Sequence, residues 1–368
     1  MVNTRINGFD VLRAVAMWLG VVLHSIIVYK SEAEPNWPHE NESYNALNLI
    51  YDFIHIFRMP LFYMVAGFFS CMVIYKSGSL FFVKQRARRI LVPFIAGLIV
   101  IVPLSLFPFS FNQFYYVEKM NLTDAFQKSI YDLLKWKGMA HLWFLYYLLF
   151  FYAIAIVVVK VHRNLELRAP GIPFWVRVSS AFILLPAALS AVLIFFHSYM
   201  PPVYTGIKPN LFFLLYYGLF FLFGWYLFQM QELLHVLKKS GILFTLAGVL
   251  LFIVRWNHLY GTAITLSYIS AATETCFIVL GITGLFIRYF NSESKTWRYF
   301  SDASYWVYLT HLFVVSSVQV LFISVTGIPS WFKLLIVLLT SFTVTMITYK
   351  AFVRNGIIGE YLHGKRNS

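Results

Sequence analysis

The sequence has little charge and few cysteines, and both shortages narrow the classes of protein to which it can belong. Only 12% of its 368 residues are Asp, Glu, Lys or Arg, whereas 60% are hydrophobic and 20% are aromatic. A water-soluble domain with so few charges would expose much of its apolar surface to water. The composition therefore argues against a soluble enzyme and predicts an all-α, polytopic integral membrane protein.

Cysteine is scarce as well, since the sequence contains two, Cys71 and Cys276, and both lie in apolar runs. This pattern predicts neither a disulfide framework nor a metal site, and we expect the protein to hold no metal and no cofactor. The sequence also lacks an internal repeat, a low-complexity tract and any segment typical of a soluble domain. We therefore expect a single membrane-embedded domain over residues 1–368.

Apolar runs recur along the whole chain, and a membrane-spanning helix needs about 20 mainly apolar residues. The spans predicted from these runs cover residues 11–29, 47–75, 90–108, 142–160, 176–197, 210–229, 241–256, 262–288, 303–325 and 331–352, which makes about ten transmembrane helices. The first should be an uncleaved signal anchor, because the following YKSEAEPNW lacks a small-x-small cleavage pattern.

Lysine and arginine gather in alternate segments between these runs, which accounts for the net charge of +14. The second span is followed by Lys76, Lys84, Arg86, Arg88 and Arg89, whereas the first loop, SEAEPNWPHENESYNA, is acidic. By the positive-inside rule, the basic segments and both termini are cytoplasmic. Because topology accounts for the positive charge, we expect membrane lipids as partners and no nucleic acid.

An arginine and a histidine stand eleven residues apart in the first span, FDVLRAVAMWLGVVLH, where both are costly to place in lipid. At about 100° per residue, this spacing returns to nearly the same face of a helix. It separates Arg13 from His24 by about 16 Å along the helix axis. Arg13 alone is typical of an anchor that snorkels to the cytoplasmic surface, whereas His24, in the outer half of the bilayer, should face a cavity or a partner.

Several stretches resemble the acyltransferase-3 family of membrane acyltransferases. Its hallmark, an arginine followed after ten residues by a histidine, is present in FDVLRAVAMWLGVVLH. FRMPLFYMVAGFFS resembles its second helix, KQRARRILVPF carries its Arg-x-x-Arg pair as Arg86 and Arg89, and SYWVYLTHLFVV resembles its late helix, with His311. YDFIHIFRMPLFYMVAGFFS and MAHLWFL are similar to the glucan succinyltransferase branch of the family.

The resemblance implies acyl transfer from a cytoplasmic acyl-CoA to hydroxyl groups of a periplasmic glycan, by a multi-pass protein of the bacterial inner membrane. The donor would be succinyl-CoA or acetyl-CoA, as a substrate and not as a cofactor. The branch named above implies an osmoregulated periplasmic glucan as acceptor. Homo-oligomers or contacts with other glucan-synthesis proteins are further expected partnerships.

The basic residues suit the donor in this scheme. The separation of Arg13 and His24 resembles the reach of an extended pantetheine arm, so Arg13 would hold phosphates while His24 acts on the thioester. Asp10, three residues before Arg13, would orient the guanidinium group. Arg86 and Arg89 share a helix face and would bind the phosphates of CoA, although arginines at this position also fit ordinary cytoplasmic topology.

A polar stripe in the second span suits the acyl or acceptor group. Asp52, His55 and Arg58 follow one another at intervals of three residues, which places them on one side of a helix. Arg58 is too deep to reach the outer surface, so it needs an acidic partner or a substrate anion. The free carboxylate of a succinyl group would suit its guanidinium fork, which favours a succinyl donor. An Asp52–Arg58 ion pair is the alternative.

Four other residues are candidates for acyl or acceptor binding. His141 and Trp143 open the fourth span at the outer surface, where Trp143 either belongs to the aromatic belt or stacks against a sugar. Glu274 and His311 lie mid-span, where each either faces a cavity or forms half of a buried polar pair.

The expected reaction uses His24 as a general base on the acceptor hydroxyl, with Asp52 or Glu274 orienting its ring. An acyl-His24 intermediate fits the same residues. A transporter or channel would also use intramembrane His and Arg, but it predicts paired repeats with interrupted helices, which the sequence lacks. The remaining alternatives are O-acetylation of lipopolysaccharide, peptidoglycan or another surface glycan, and a non-catalytic lipid or glycan receptor.

Overall fold

A computed structural model describes residues 6–35, 37–136, 138–165, 174–259 and 264–363, apart from the side chains of residues 162–165, 174–177 and 180. These residues form helices and connecting loops without a β-sheet, which confirms the predicted all-α fold. The α-helices are α1 (Asn7–Ile26), α2 (Asn45–Arg86), α3 (Val92–Ala96), α4 (Val102–Phe111), α5 (Leu122–Lys135), α6 (Trp143–Leu165), α7 (Phe174–Phe196), α8 (Leu211–Gln229), α9 (Glu232–His258), α10 (Thr265–Tyr289), α11 (Lys295–Ile323), α12 (Ser330–Thr348) and α13 (Ile357–Leu362).

Within the described residues, eight helical stretches are long and apolar enough to cross a membrane. They are Asn7–Tyr29, Asn45–Val117, Leu122–Val161, Leu211–Gln229, Glu232–His258, Thr265–Tyr289, Lys295–Ile323 and Ser330–Val353. The protein is therefore a multi-pass membrane protein. The difference from the expected ten arises because Asn45–Val117 contains two predicted spans, and because the apolar part of α7, Ala181–Phe196, is shorter.

The stretch Asn45–Val117 is one helical run that is broken at a glycine. Gly78 has a φ of 82°, in the left-handed region that glycine adopts without steric cost, and it is the residue of α2 with non-helical dihedral angles. Pro60 lies inside α2. After Arg86 the run continues through short π-helical turns, with Pro93 and Pro103 in the first turns of α3 and α4. The glycine therefore separates the second and third predicted spans.

Helix α1 lies inside the bundle, in contact with α2, α10, α11 and α12. Its buried residues include Phe9, Leu12, Ala16 and Leu23, so most of its circumference faces protein. A helix in this position presents its polar side chains to its neighbours and not to lipid. The packing thus makes α1 the helix around which an internal site can form.

Helix α5 was not predicted from the sequence, and it lies in the third predicted loop. Asn121 caps its N-terminus by accepting a hydrogen bond from Asp124 N at 2.9 Å. Ala125 and Ser129 are buried, and Phe126 contacts Phe107 of α4 with ring centroids 5.3 Å apart. Its short length and amphipathic pattern explain why a search for spans passed over it.

Both chain ends, residues 1–5 and 364–368, lie outside the described residues, so the cytoplasmic location of the termini stays a prediction.

Candidate active site

Two cavities lie one after the other along α1. The first, of about 350 Å³, is lined by Asp10 and Arg13 and is called the Arg13 cavity. The second, of about 250 Å³, is lined by His24 and is called the His24 cavity. Met17, between Arg13 and His24 in the chain, lines both cavities, together with Phe62 of α2 and Phe144 of α6. The spacing of Arg13 and His24 therefore places them in adjoining cavities.

The Arg13 cavity is lined by three arginines and by two aspartates, Asp10 and Asp302. Arg86 and Arg89 line it beside Arg13, so the three arginines predicted to act together border one space. Asp10 lies 3.6 Å from the guanidinium group of Arg13, and the Arg13 side chain is 41% exposed. Arg86 lies over the rings of Phe82 and Tyr152, at 5.1 and 5.2 Å from their centroids, which holds its guanidinium group in place. The three guanidinium groups are donors that suit the phosphate groups of an anion.

Of the three arginines in the segment 86–89, one does not face the Arg13 cavity. Arg88 pairs with Glu360 of α13 at 3.5 Å, and it lies 4.9 Å from the ring centroid of Tyr361. It is absent from the lining of the Arg13 cavity. The segment therefore contains two arginines that face the cavity and one that is engaged elsewhere.

Four histidines line the His24 cavity. The ring centroids of His24 and His311 are 5.2 Å apart, and those of His141 and His311 are 5.3 Å apart. These rings come from α1, α11 and the turn before α6, so residues distant in sequence meet here. The lining includes His24, His55, Arg58, His141, Trp143 and His311, with Glu34, Trp37, Tyr51, Tyr217 and Tyr308.

Hydrogen bonds to the backbone show which ring nitrogen carries the hydrogen atom in two of these histidines. His311 Nδ1–H donates to the carbonyl oxygens of Tyr308 at 2.8 Å and Val307 at 3.1 Å. His141 Nε2–H donates to the Leu309 carbonyl oxygen at 3.0 Å. A neutral imidazole has one donor and one acceptor nitrogen, so His311 Nε2 and His141 Nδ1 are left as acceptors. Both of these nitrogens are buried and have no hydrogen-bond partner among the described residues.

Arg58 extends from α2 towards α1 across the surface of Gly20. Its Nε atom is buried without a hydrogen-bond partner in the described part of the chain, and no described carboxylate forms an ion pair with it. The alternative Asp52–Arg58 ion pair is thus not formed. Asp52 is buried nearby but does not line the His24 cavity. A guanidinium group inside a membrane protein that has no ion-pair partner among the described residues is costly and suits an incoming anion.

Glu274 is engaged away from the cavities. It accepts a hydrogen bond from Arg255 Nε at 2.8 Å, and the carboxylate lies 2.7 Å from Arg255 Nη2, with both side chains fully buried. It lines neither cavity. The structure therefore contradicts its placement beside His24, and it matches the alternative of a buried polar pair. The sequence did not single out Arg255, which is near the end of α9 and 19 residues away.

The first loop contributes residues to the His24 cavity that sequence reasoning missed. The Trp37 ring lies nearly parallel to the His24 ring, with centroids 5.8 Å apart and an interplanar angle of 9°. A buried Glu40–Lys333 ion pair of 2.9 Å ties this loop to α12, and Glu42 accepts a hydrogen bond from Ser330 N at 2.8 Å. Trp143, which was predicted, lies 5.6 Å from Tyr217 between ring centroids. The site thus has aromatic walls on two sides.

Gln319 of α11 holds the end of α1 that carries His24. Its Nε2 atom donates to the carbonyl oxygens of His24 at 3.0 Å and Ser25 at 3.1 Å. The last carbonyl groups of a helix lack partners within that helix, so this side chain stabilises the terminus.

No group of three or more His, Cys, Asp or Glu side chains in the described part of the chain has the geometry of a metal site.

The fold and the site define a polytopic membrane protein with an arginine-lined cavity and a histidine-lined cavity along one helix. The sequence profile described as "Acyltransferase domain" matches residues 6–350, so the chain belongs to the acyltransferase-3 family. The protein is therefore a membrane acyltransferase, and the family resemblance noted in the sequence is confirmed.

Curated relatives agree with this family. Glucans biosynthesis protein C of Salmonella paratyphi B is 27% identical over 327 residues, covering 82% of this chain and 80% of the relative. The protein of the same name from Escherichia coli K12 is 27% identical over 318 residues, with the same coverage of both chains. No solved structure matches the chain.

Proposed function

We propose that this membrane acyltransferase moves an acyl group from cytoplasmic acyl-CoA to a hydroxyl group of a periplasmic glycan, in the bacterial inner membrane. A succinyl group is the favoured acyl group, and an osmoregulated periplasmic glucan is the favoured acceptor. The gathering of lysine and arginine in alternate segments supports this orientation. The bacterial relatives named for glucan biosynthesis support the acceptor class.

The observation that carries the proposal is the meeting of the two cavities at Met17, Phe62 and Phe144. In this account, the phosphates of CoA bind Arg13, Arg86 and Arg89, where guanidinium groups form charge-assisted hydrogen bonds. The pantetheine arm extends past Met17 and brings the thioester to the His24 cavity. The two substrates then meet inside the protein, although one comes from each side of the membrane.

The chemical step needs a base for the acceptor hydroxyl group and a route for the leaving thiol. The imidazole of His24 removes the hydroxyl proton as the oxygen attacks the thioester carbonyl carbon. The carbon–sulfur bond breaks, and the CoA thiolate takes the proton from the imidazolium. The products are a glycan ester and CoA-SH, and His24 returns to its neutral form.

Arg58 supports the choice of a succinyl donor. Its guanidinium group faces the His24 cavity without a carboxylate partner among the described residues. The free carboxylate of a succinyl group would fill that role through paired hydrogen bonds, which an acetyl group cannot form. Arg58→Ala should therefore shift donor preference from succinyl towards acetyl, whereas an unchanged preference would remove the basis for this choice.

The experiment that tests the function is mass spectrometry of periplasmic glycans from cells with and without the protein. The masses of added succinyl and acetyl groups differ, so one measurement identifies both the acyl group and the glycan. Succinylated glucan that depends on the protein supports the proposal. Acetyl groups on lipopolysaccharide, peptidoglycan or another surface glycan would instead identify a related O-acetyltransferase.

A further inference from the structure

The group that orients His24 was expected to be a carboxylate, but among the described residues no carboxylate is available to do so. Glu274 pairs with Arg255, and Asp52 does not line the His24 cavity. Glu34 does line it, but that carboxylate forms an ion pair with Lys30 at 3.0 Å. Among the described residues, the ring whose centroid lies nearest to that of His24 is instead another imidazole, that of His311.

One buried nitrogen on each of these two rings lacks a partner among the described residues. His24 Nδ1 and His311 Nε2 are both buried and form no hydrogen bond with the described residues. Their rings have centroids 5.2 Å apart and an interplanar angle of 42°. At this centroid separation, a rotation of the His24 ring that turns the two nitrogens towards each other would bring them within hydrogen-bonding distance, and such contacts often tighten only when substrate binds. Buried polar atoms are rarely left unpaired, so a bond between these two would satisfy both.

The hydrogen-bond pattern also fixes the direction of that bond. His311 Nδ1 is the donor to the Tyr308 and Val307 carbonyl oxygens, so Nε2 is the acceptor. His24 must then donate through Nδ1–H, which leaves its Nε2 atom as the basic nitrogen. The backbone of α11 thereby selects the tautomer of a histidine on α1. His311 is only 2% exposed.

We infer that His311 is the positioning residue for His24, in the role that a carboxylate has in other base–orienter pairs. This inference rests on the proposed acyl transfer. When His24 takes the proton of the acceptor hydroxyl, His311 Nε2 accepts a hydrogen bond from the resulting imidazolium and stabilises its charge. His311 itself gains and loses no proton. The proton of His24 Nε2 passes to the departing CoA thiolate.

A matched pair of substitutions separates this role from simple packing. A glutamine at position 311 can place an acceptor oxygen near the former Nε2 position, whereas an asparagine reaches only the region of Nδ1. We therefore expect His311→Gln to retain more activity than His311→Asn. His311→Asn and His311→Ala should lower kcat by about 100-fold, with little change in KM for the acyl-CoA donor. Added imidazole should restore part of the activity of His311→Ala.

The assay uses purified full-length protein in proteoliposomes, with acyl-CoA and glucan, and size-exclusion chromatography to verify folding. His235→Ala is the control, because His235 is exposed on α9 and lines neither cavity. If the wild-type protein transfers the acyl group and His311→Asn is equally active, the positioning role is overturned and the proposed function stands. Equal losses in the Gln and Asn variants, without imidazole rescue, would also overturn it. Absence of transfer by wild-type protein would instead reject the proposed function.

Discussion

Gly20 of α1 faces Arg58 of α2 so closely that a Cβ atom at position 20 would collide with the Nη1 atom of Arg58. The glycine thus provides the space in which the guanidinium group reaches the His24 cavity. Small residues commonly allow such close approach between membrane helices. Here the approaching group is the end of a flexible side chain, so a larger residue would displace the charge without separating the helices.

Gly20→Ala should therefore reproduce the effect of moving Arg58. We expect the ratio of kcat/KM for succinyl-CoA to that for acetyl-CoA to fall by about 10-fold or more, since a hydrogen bond to a charged group contributes about 1.5–3 kcal/mol. The amount of folded protein should stay close to wild type. Steady-state kinetics with each donor gives the ratio directly.

Gly218→Ala is the matched control for this prediction. A Cβ atom at position 218 would meet Phe151 at 3.4 Å, which is an ordinary van der Waals distance, and Gly218 lines neither cavity. Its donor ratio should equal that of the wild-type protein. An unchanged ratio of the two kcat/KM values in Gly20→Ala would show that Arg58 does not distinguish succinyl-CoA from acetyl-CoA.

The arginines after α2 allow a second comparison. Arg89 lines the Arg13 cavity, whereas its neighbour Arg88 pairs with Glu360. Arg89→Gln should raise KM for acyl-CoA by roughly 10-fold or more, because it removes a charge-assisted contact to phosphate. Arg88→Gln should leave KM nearly unchanged, although both variants lose one positive charge. Similar KM values in the two variants would mean that only the overall charge of this segment matters.

The junction between the cavities gives a third prediction. Met17 is flexible, and with Phe62 and Phe144 it lines both cavities. Met17→Phe should narrow the junction and lower transfer on the order of 10²-fold, because small displacements of a reacting group are costly. CoA binding, measured by calorimetry, should persist because the arginines are untouched. Met17→Leu conserves volume and should remain active. Equal transfer rates in the two variants would place the pantetheine route elsewhere.

The sequence predicted the parts of this site that depend on one helix. The eleven-residue spacing of Arg13 and His24 required only the helical repeat, and both residues line cavities along α1. Arg86 and Arg89 likewise share one cavity. The roles assigned to these residues stay predictions, since geometry shows where the side chains lie and not what they bind.

Contacts between separate helices and loops could not be predicted from the sequence. Glu274 was an attractive partner for His24 because it lies mid-span, but Arg255 meets it from α9. Trp37 approaches His24 because the first loop folds over the cavity, anchored by the buried Glu40–Lys333 ion pair. Residue type and spacing do not encode such meetings, which depend on how separate elements pack.

The break at Gly78 shows a similar limit within one element. Both Pro60 and Gly78 are residues that can interrupt a helix, and sharp bends are commonly found at proline. The left-handed backbone lies at Gly78, while Pro60 stays inside α2. The general tendency of proline to interrupt a helix therefore did not decide where the left-handed break occurs.

The central claim is that an acyl group passes along α1 from one side of the membrane to the other, with His24 acting on it. The most direct test uses proteoliposomes that contain radiolabelled succinyl-CoA inside and unlabelled glucan outside. Protein whose Arg13 cavity opens to the interior should label the external glucan, whereas His24→Ala should insert normally and transfer no label. Labelling by His24→Ala at the wild-type rate, or wild-type transfer only to glucan on the donor side, would contradict the account.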